Sequence, residues 1–133
     1  MKRVTGIGGI FFKSERPEAL YRWYEAHLGI KADPVNGALF QWRHDDDTEK
    51  KGMTVWSLFP KDTTYFEPSQ SGFMVNYIVD DLDALVKALQ EEGVVIEKRE
   101  DFEYGRFAWI MDPEGNKVEL WEPMIWDEKN KSA

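Results

Sequence analysis

Apolar residues recur along this chain in two rhythms. Over 17–28 they fall at Leu20, Trp23, Tyr24 and Leu28, and over 82–92 at Leu82, Leu85, Val86 and Leu89. Both sets are close to the i, i+3, i+4, i+7 spacing of a helix that is apolar on one side. Each stretch stops at a glycine, Gly29 and Gly93, a residue suited to the left-handed turn that ends helices. Elsewhere the apolar runs are short and bounded by Gly, Pro, Asp or Asn, which predicts strands at 6–13, 30–34, 38–43 and 54–59, then at 73–79, 94–99, 107–111 and 117–122. Pro17 falls in the first turn of its helix, where a missing N–H costs little. Asp112-Pro113-Glu114-Gly115 predicts a tight turn between the last two strands. The charged run RHDDDTEKKG over 43–52 reads as a long, solvated and mobile hairpin tip.

Laid out this way, the chain is βαβββ twice. Residues 6–20 align with 71–85 at an offset of 65 (85 − 20), and 52–60, GMTVWSLFP, with 115–123, GNKVELWEP, at an offset of 63 (123 − 60). Loops absorb the change of offset. The expected organisation is one α+β domain over 1–133, with module 1 at about 4–68, module 2 at about 71–123 and a tail at 124–133. At this alignment a carboxylate of the second copy, Glu119, stands opposite a tryptophan of the first, Trp56.

Composition narrows the functional classes. A chain of 133 residues, 42% hydrophobic and 14% aromatic, can bury about two-thirds of its unfolded surface, as one compact domain does. Six Trp and eight Phe supply core and, by expectation, a pocket lining. The net charge of −8 argues against nucleic acid or an anionic membrane as partner. There is no cysteine, which removes thiolate metal sites and a cysteine nucleophile. Without a long apolar run or a signal-peptide pattern at the start, the expected location is the cytoplasm. Asn130-Lys131-Ser132 matches a glycosylation pattern by letter only.

The runs GIGGIFFKSERPEALYRWYEAHLGI, MVNYIVDDLDALVKALQEEGV and YGRFAWIMDPEGNKVELWEP resemble the vicinal oxygen chelate superfamily, the group of glyoxalase I, bleomycin-resistance proteins and extradiol dioxygenases. The resemblance covers about the first 123 residues. It implies paired βαβββ modules whose sheets curl around a shared cleft, commonly in a homodimer. It also implies one metal ligand on the first and last strand of each module, positions that carry Gly9, Trp56, Met74 and Glu119 here. Of these, only Glu119 suits a hard divalent ion: glycine has no side chain, indole only donates, and a thioether is soft. The expectation is therefore no metal cofactor, with a weakly held divalent ion at Glu119 as the remaining option. Neither histidine supplies a second ligand, since His27 suits the end of its helix and His44 heads an acidic run without the spacing of a calcium loop.

If those four positions face the cleft, strand alternation brings their i±2 neighbours with them. The expected cleft has Phe11, Trp56, Leu58, Met74 and Trp121 as apolar walls, joined by Phe107 and Trp109, and Lys13, Asn76 and Glu119 as polar points. Arg106 enters beside it as a candidate for an anionic group. The expected ligand-binding set is thus Phe11, Lys13, Trp56, Met74, Asn76, Arg106, Trp109 and Trp121. Two functions fit such a site. One is a metal-independent protein that binds an aromatic or hydrophobic small molecule. The other is a lyase or isomerase with Glu119 as general base and Asn76, Lys13 or Arg106 stabilising an oxyanion, and Lys13 paired with Glu119 across the sheet is the structural alternative for that carboxylate.

Overall fold

The computed structural model describes residues 2–124; the glycosylation-like triplet lies outside them. The elements run β1 (Val4–Ser14), α1 (Pro17–Leu28), β2 (Ala38–His44), β3 (Asp47–Pro60), β4 (Phe73–Val79), α2 (Leu82–Glu91), β5 (Lys98–Phe102), β6 (Gly105–Met111) and β7 (Lys117–Pro123). All seven strands join one mixed sheet in the order β2-β3-β1-β4-β7-β6-β5. The fold is α+β. The two first strands, β1 and β4, pair antiparallel at the seam, and each pairs in parallel with the last strand of its own half.

The second half is βαβββ as expected, whereas the first has one strand fewer. Residues 30–34 form no strand, only an isolated bridge from Asp33 to Gly37. The Asp33 carboxylate accepts from the N–H groups of Val35 and Asn36 at 2.7 and 3.2 Å, and a side chain that bonds its own backbone favours a turn over a ladder. The 43–52 run is more ordered along its length than its charge suggests. It is a hairpin with an exposed tip, as expected, but the ladder runs further into it: β2 and β3 stay paired through Trp42 and Gly52, Arg43 and Lys51, and His44 and Asp47. His44 is buried, with its ring 4.8 Å from that of Trp42. In the second half the expected strand at 94–99 forms later, at Lys98–Phe102.

Both helices cover one face of the sheet. Leu82 and Leu85 of α2 pack with Val79, Ala108 and Leu120, and Val86 and Leu89 lie against that cluster, so the expected stripe is the buried one. Asp81 caps α2 by accepting from Ala84 N–H at 3.0 Å, and the Glu122 carboxylate accepts from Leu82 N–H at 2.8 Å, which suits the positive end of the helix. Helix α1 is rotated from its expected stripe: Trp23 is 51% and Leu28 61% exposed, and Tyr21 is the buried residue. Both helices end as expected, with Gly29 and Gly93 at φ 70 and 86. Among the described residues no helix is long and apolar enough to cross a membrane.

Candidate functional site

The site is built on the sheet face opposite the helices, mostly in the second half. Register places Gly9, Asn76, Glu119, Trp109 and Lys98 in one row across β1, β4, β7, β6 and β5. The next row holds Ile78, Trp121, Phe107 and Glu100. Directly opposed residues share a face and touch, so the neighbours of Glu119 are dictated by strand pairing. Asn76 donates from Nδ2 to Glu119 Oε1 at 2.6 Å, and Trp109 donates from Nε1 to Oε2 at 2.9 Å. A third donor arrives from above the sheet: Tyr65, on the segment between β3 and β4, donates its hydroxyl to Oε2 at 2.5 Å. Glu119 is 3% exposed. A buried carboxylate is costly unless its lone pairs are met, and here three donors answer it, one at Oε1 and two at Oε2.

The segment carrying Tyr65 is held by Phe66, which is wholly buried against Met74 and Trp109, with Phe11, Phe59 and Phe107 packed around them. Tyr65 itself stacks on Phe59 at 5.6 Å. Burial first, and then the charge of Glu119, push the Tyr65 phenol well above its ordinary range, so it remains a donor at neutral pH. Lys117 donates to the Tyr65 carbonyl at 2.8 Å. Burial lowers its ammonium below the ordinary range, partly offset by Glu119. The row also explains a glycine pair. Where β1 shifts register against β4 between Ile7 and Gly9, a Cβ on Gly8 would meet Asn76 Oδ1 at 2.3 Å and one on Gly9 would meet the Phe11 ring at 2.5 Å.

Beyond Trp109 the face opens into a cleft of about 420 Å³. Its walls include Phe102, Tyr104, Phe107 and Trp109, with Lys98, Glu100 and Lys117 as charged groups. The rings form two stacks set edge to face: Phe102 and Tyr104 stack at 5.2 Å, Phe107 stacks with Trp109 at 5.9 Å and with Trp121 at 6.0 Å, and Phe102 and Tyr104 meet Phe107 at 69° and 68°. A hollow of about 520 Å³ between the start of β1 and Trp42 contains none of the expected binding residues.

The structure gathers Phe11, Met74, Asn76, Trp109, Trp121 and Glu119 on one face, as alternation predicted. Met74 is fully buried and so is core. Three expectations need correction. Trp56 is on the other face, in edge contact with Phe12, Tyr21 and Tyr24 beneath α1, and Leu58 follows it there, its N–H donating to the Tyr21 hydroxyl at 2.8 Å. Arg106 points to α2 and pairs with Asp83 at 2.7 Å. Lys13 does not reach Glu119; its ammonium lies 5.6 Å from the centre of the Phe66 ring.

The Trp56 correction follows from register. Phe11 pairs with Ser57 as Asn76 pairs with Glu119, and Phe11 matches Asn76 at the offset of 65 (76 − 11). The true counterpart of Glu119 is therefore Ser57, at an offset of 62 (119 − 57), and a slip of one residue exchanges the faces of a strand. Tyr65, Phe66, Lys98 and Phe102 join the site without having been expected there, whereas Lys117 faces the cleft by the same alternation as Glu119 and Tyr104 enters beside it. For Tyr65 the sequence carries no signal, since it lies outside any strand.

Gly9, Ser57, Met74 and Glu119 do not fit a hard cation. Gly9 offers no donor, Met74 is sealed in an apolar cluster, and the oxygens of Glu119 already accept three hydrogen bonds. Among the described residues no three of His, Cys, Asp and Glu converge.

A family model described as Glyoxalase-like domain matches residues 9–121. Methylmalonyl-CoA epimerase from Streptomyces coelicolor, in complex with 2-nitronate-propionyl-CoA, is similar in structure with a TM-score of 0.62 at 17% identity, over 90% of this chain and 98% of that one. The epimerase from Mycobacterium tuberculosis aligns with a TM-score of 0.55 at 21% identity, over 100% and 95%. A glyoxalase/bleomycin resistance protein/dioxygenase superfamily member from Vibrio splendidus aligns with a TM-score of 0.55 at 12% identity, over 87% and 97%. No curated protein matches the chain by sequence.

Proposed function

From the premise that the chain belongs to the glyoxalase-like domain family, we propose that it is a metal-independent protein whose second-half cleft binds a small molecule on an aromatic surface. The observation that carries this reading is the division of labour between Glu119 and the cleft. The carboxylate that would act as base or ligand is 3% exposed and spends its oxygens on Tyr65, Asn76 and Trp109. The open volume beside it is walled by stacked rings instead. A general base must reach the proton it takes, and here Tyr65 stands between Glu119 and any substrate. Aromatic walls mixed with charged groups, Lys98, Glu100 and Lys117, suit recognition of a polar small molecule with an aromatic body.

The test is quenching of tryptophan fluorescence by a panel of small aromatic and α-oxo compounds, since Trp109 lines the cleft. Saturable quenching is expected, weakened about tenfold by Phe107→Ala, with the compound recovered unchanged. No saturable quenching, or a compound consumed at a rate that Glu119→Gln removes, would overturn the reading.

A further inference from the structure

Resting on that reading of the cleft, we infer that its ligand is a flat aromatic acid with a single negative charge, its ring against the accessible rings of Phe102, Tyr104 and Phe107 and its carboxylate between Lys98 and Lys117, above the buried Trp109. The two ammonium groups flank one indole: each nitrogen is 5.8 Å from the centre of the Trp109 ring. They reach it from different strands, Lys98 as the cross-strand neighbour of Trp109 and Lys117 from the start of β7. Their charges are unequally answered. Lys98 pairs with Glu100 at 2.5 Å. Among the described residues Lys117 has no ion pair, and its hydrogen bond goes to the neutral carbonyl of Tyr65.

An ammonium carries three donors, so Lys117 keeps two for a ligand. In a chain of net charge −8, a half-buried cation without a carboxylate partner, set at the edge of an aromatic wall, is a specific arrangement. Glu100 sharpens it. Its carboxylate lines the same cleft, so a second negative charge on the ligand would be repelled where a single one is balanced, and an aryl carboxylate is favoured over an aryl phosphate. The stacked rings are flat surfaces that select a planar ligand body.

The experiment compares 2-naphthoate with its neutral analogue 2-naphthamide, with 2-naphthyl phosphate, and with 2-naphthylmethylammonium, by tryptophan quenching and calorimetry on the full chain. A charge-assisted contact predicts that the acid binds about tenfold tighter than the amide, with the phosphate weaker than the carboxylate and the cation weakest. Lys117→Gln should bring acid and amide within about twofold while leaving the amide's affinity in place, and Lys98→Gln should narrow the gap in part. Lys117→Met guards against an effect peculiar to the amide side chain and should behave alike. Equal binding of acid and amide, or a preference that survives Lys117→Gln, would overturn the acid assignment and leave the aromatic cleft standing. Tighter binding of the phosphate would overturn the single charge. Binding by none of the four would remove the cleft reading itself.

Discussion

At the scale of single residues, the decisive contact is the hydroxyl of Tyr65 on Glu119. Of the carboxylate's three donors, Asn76 and Trp109 come from neighbouring strands of the sheet, and Tyr65 alone comes from a connecting segment. Removing that hydroxyl leaves the charge short of one bond, so Tyr65→Phe should lower stability by about 1.5–3 kcal/mol, measured by urea unfolding at neutral pH. The sign with pH follows from the raised phenol. Above pH 10, the ordinary tyrosine value, the unfolded chain gives up this proton while the folded chain holds it. The unfolded state then binds fewer protons, and stability falls as pH rises. The contribution is complete below pH 10 and is lost progressively above it. Wild type should lose stability between pH 9 and about 11 more steeply than Tyr65→Phe; parallel slopes would show that Tyr65 ionises in the folded state. In the folded protein, the tyrosinate absorbance should be the same in both, because Tyr65 does not contribute to it.

At the scale of elements, the second half was legible in the sequence and the first half less so, for physical reasons. The α2 stripe of Leu82, Leu85, Val86 and Leu89 and the alternation through Asn76, Trp109, Glu119 and Trp121 carry period and face together, because buried apolar residues alternate with groups that need partners. In the first half three signals misled. Asp33 diverts its neighbours into a turn. The acidic 43–52 run hides a ladder, since strand pairing uses the backbone and tolerates charged side chains on an exposed stretch. The third is the alignment that matches Gly52, inside β3, to Gly115, in the turn before β7, with Pro60 against Pro123, and it overstates the offset by one (63 − 62). That single step moved Trp56 from the helix-covered face to the cleft. The consequence is testable: Trp56→Ala should destabilise the chain by about 3 kcal/mol or more, by emptying the space under α1, while ligand affinity in the cleft stays within about twofold of wild type once folding is corrected for. A loss of binding at full stability would return Trp56 to the cleft.

Considered as a whole molecule, the sheet is nearly symmetric about the β1 and β4 seam, but its chemistry lies on one side. The row through Asn76, Glu119 and Trp109 has Phe11 and Ser57 as its first-half counterparts, and these bring no second carboxylate. A metal centre shared between the halves would need ligands from both, so the loss on one side makes the Glu119 side free to become a closed hydrogen-bonded node beneath an open aromatic cleft. Folding equilibria report this directly, because anything that binds only the folded state raises its stability by RT ln(1 + [L]/Kd). After exhaustive chelation, zinc, nickel, manganese or magnesium at one hundred times the dissociation constant of a genuine site would add about 2.7 kcal/mol and raise Tm by roughly 8 °C in a chain of this length. No such rise is expected from any of the four ions, since Glu119 is the one carboxylate among Gly9, Ser57, Met74 and Glu119 and its oxygens already accept from Tyr65, Asn76 and Trp109, with which an ion would have to compete. An aromatic acid that fills the cleft should raise Tm in proportion to the logarithm of its concentration without disturbing that node. A metal-dependent rise that Glu119→Gln removes would place an ion where three donors now sit, with the carboxylate as the functional group and the aromatic wall as its setting.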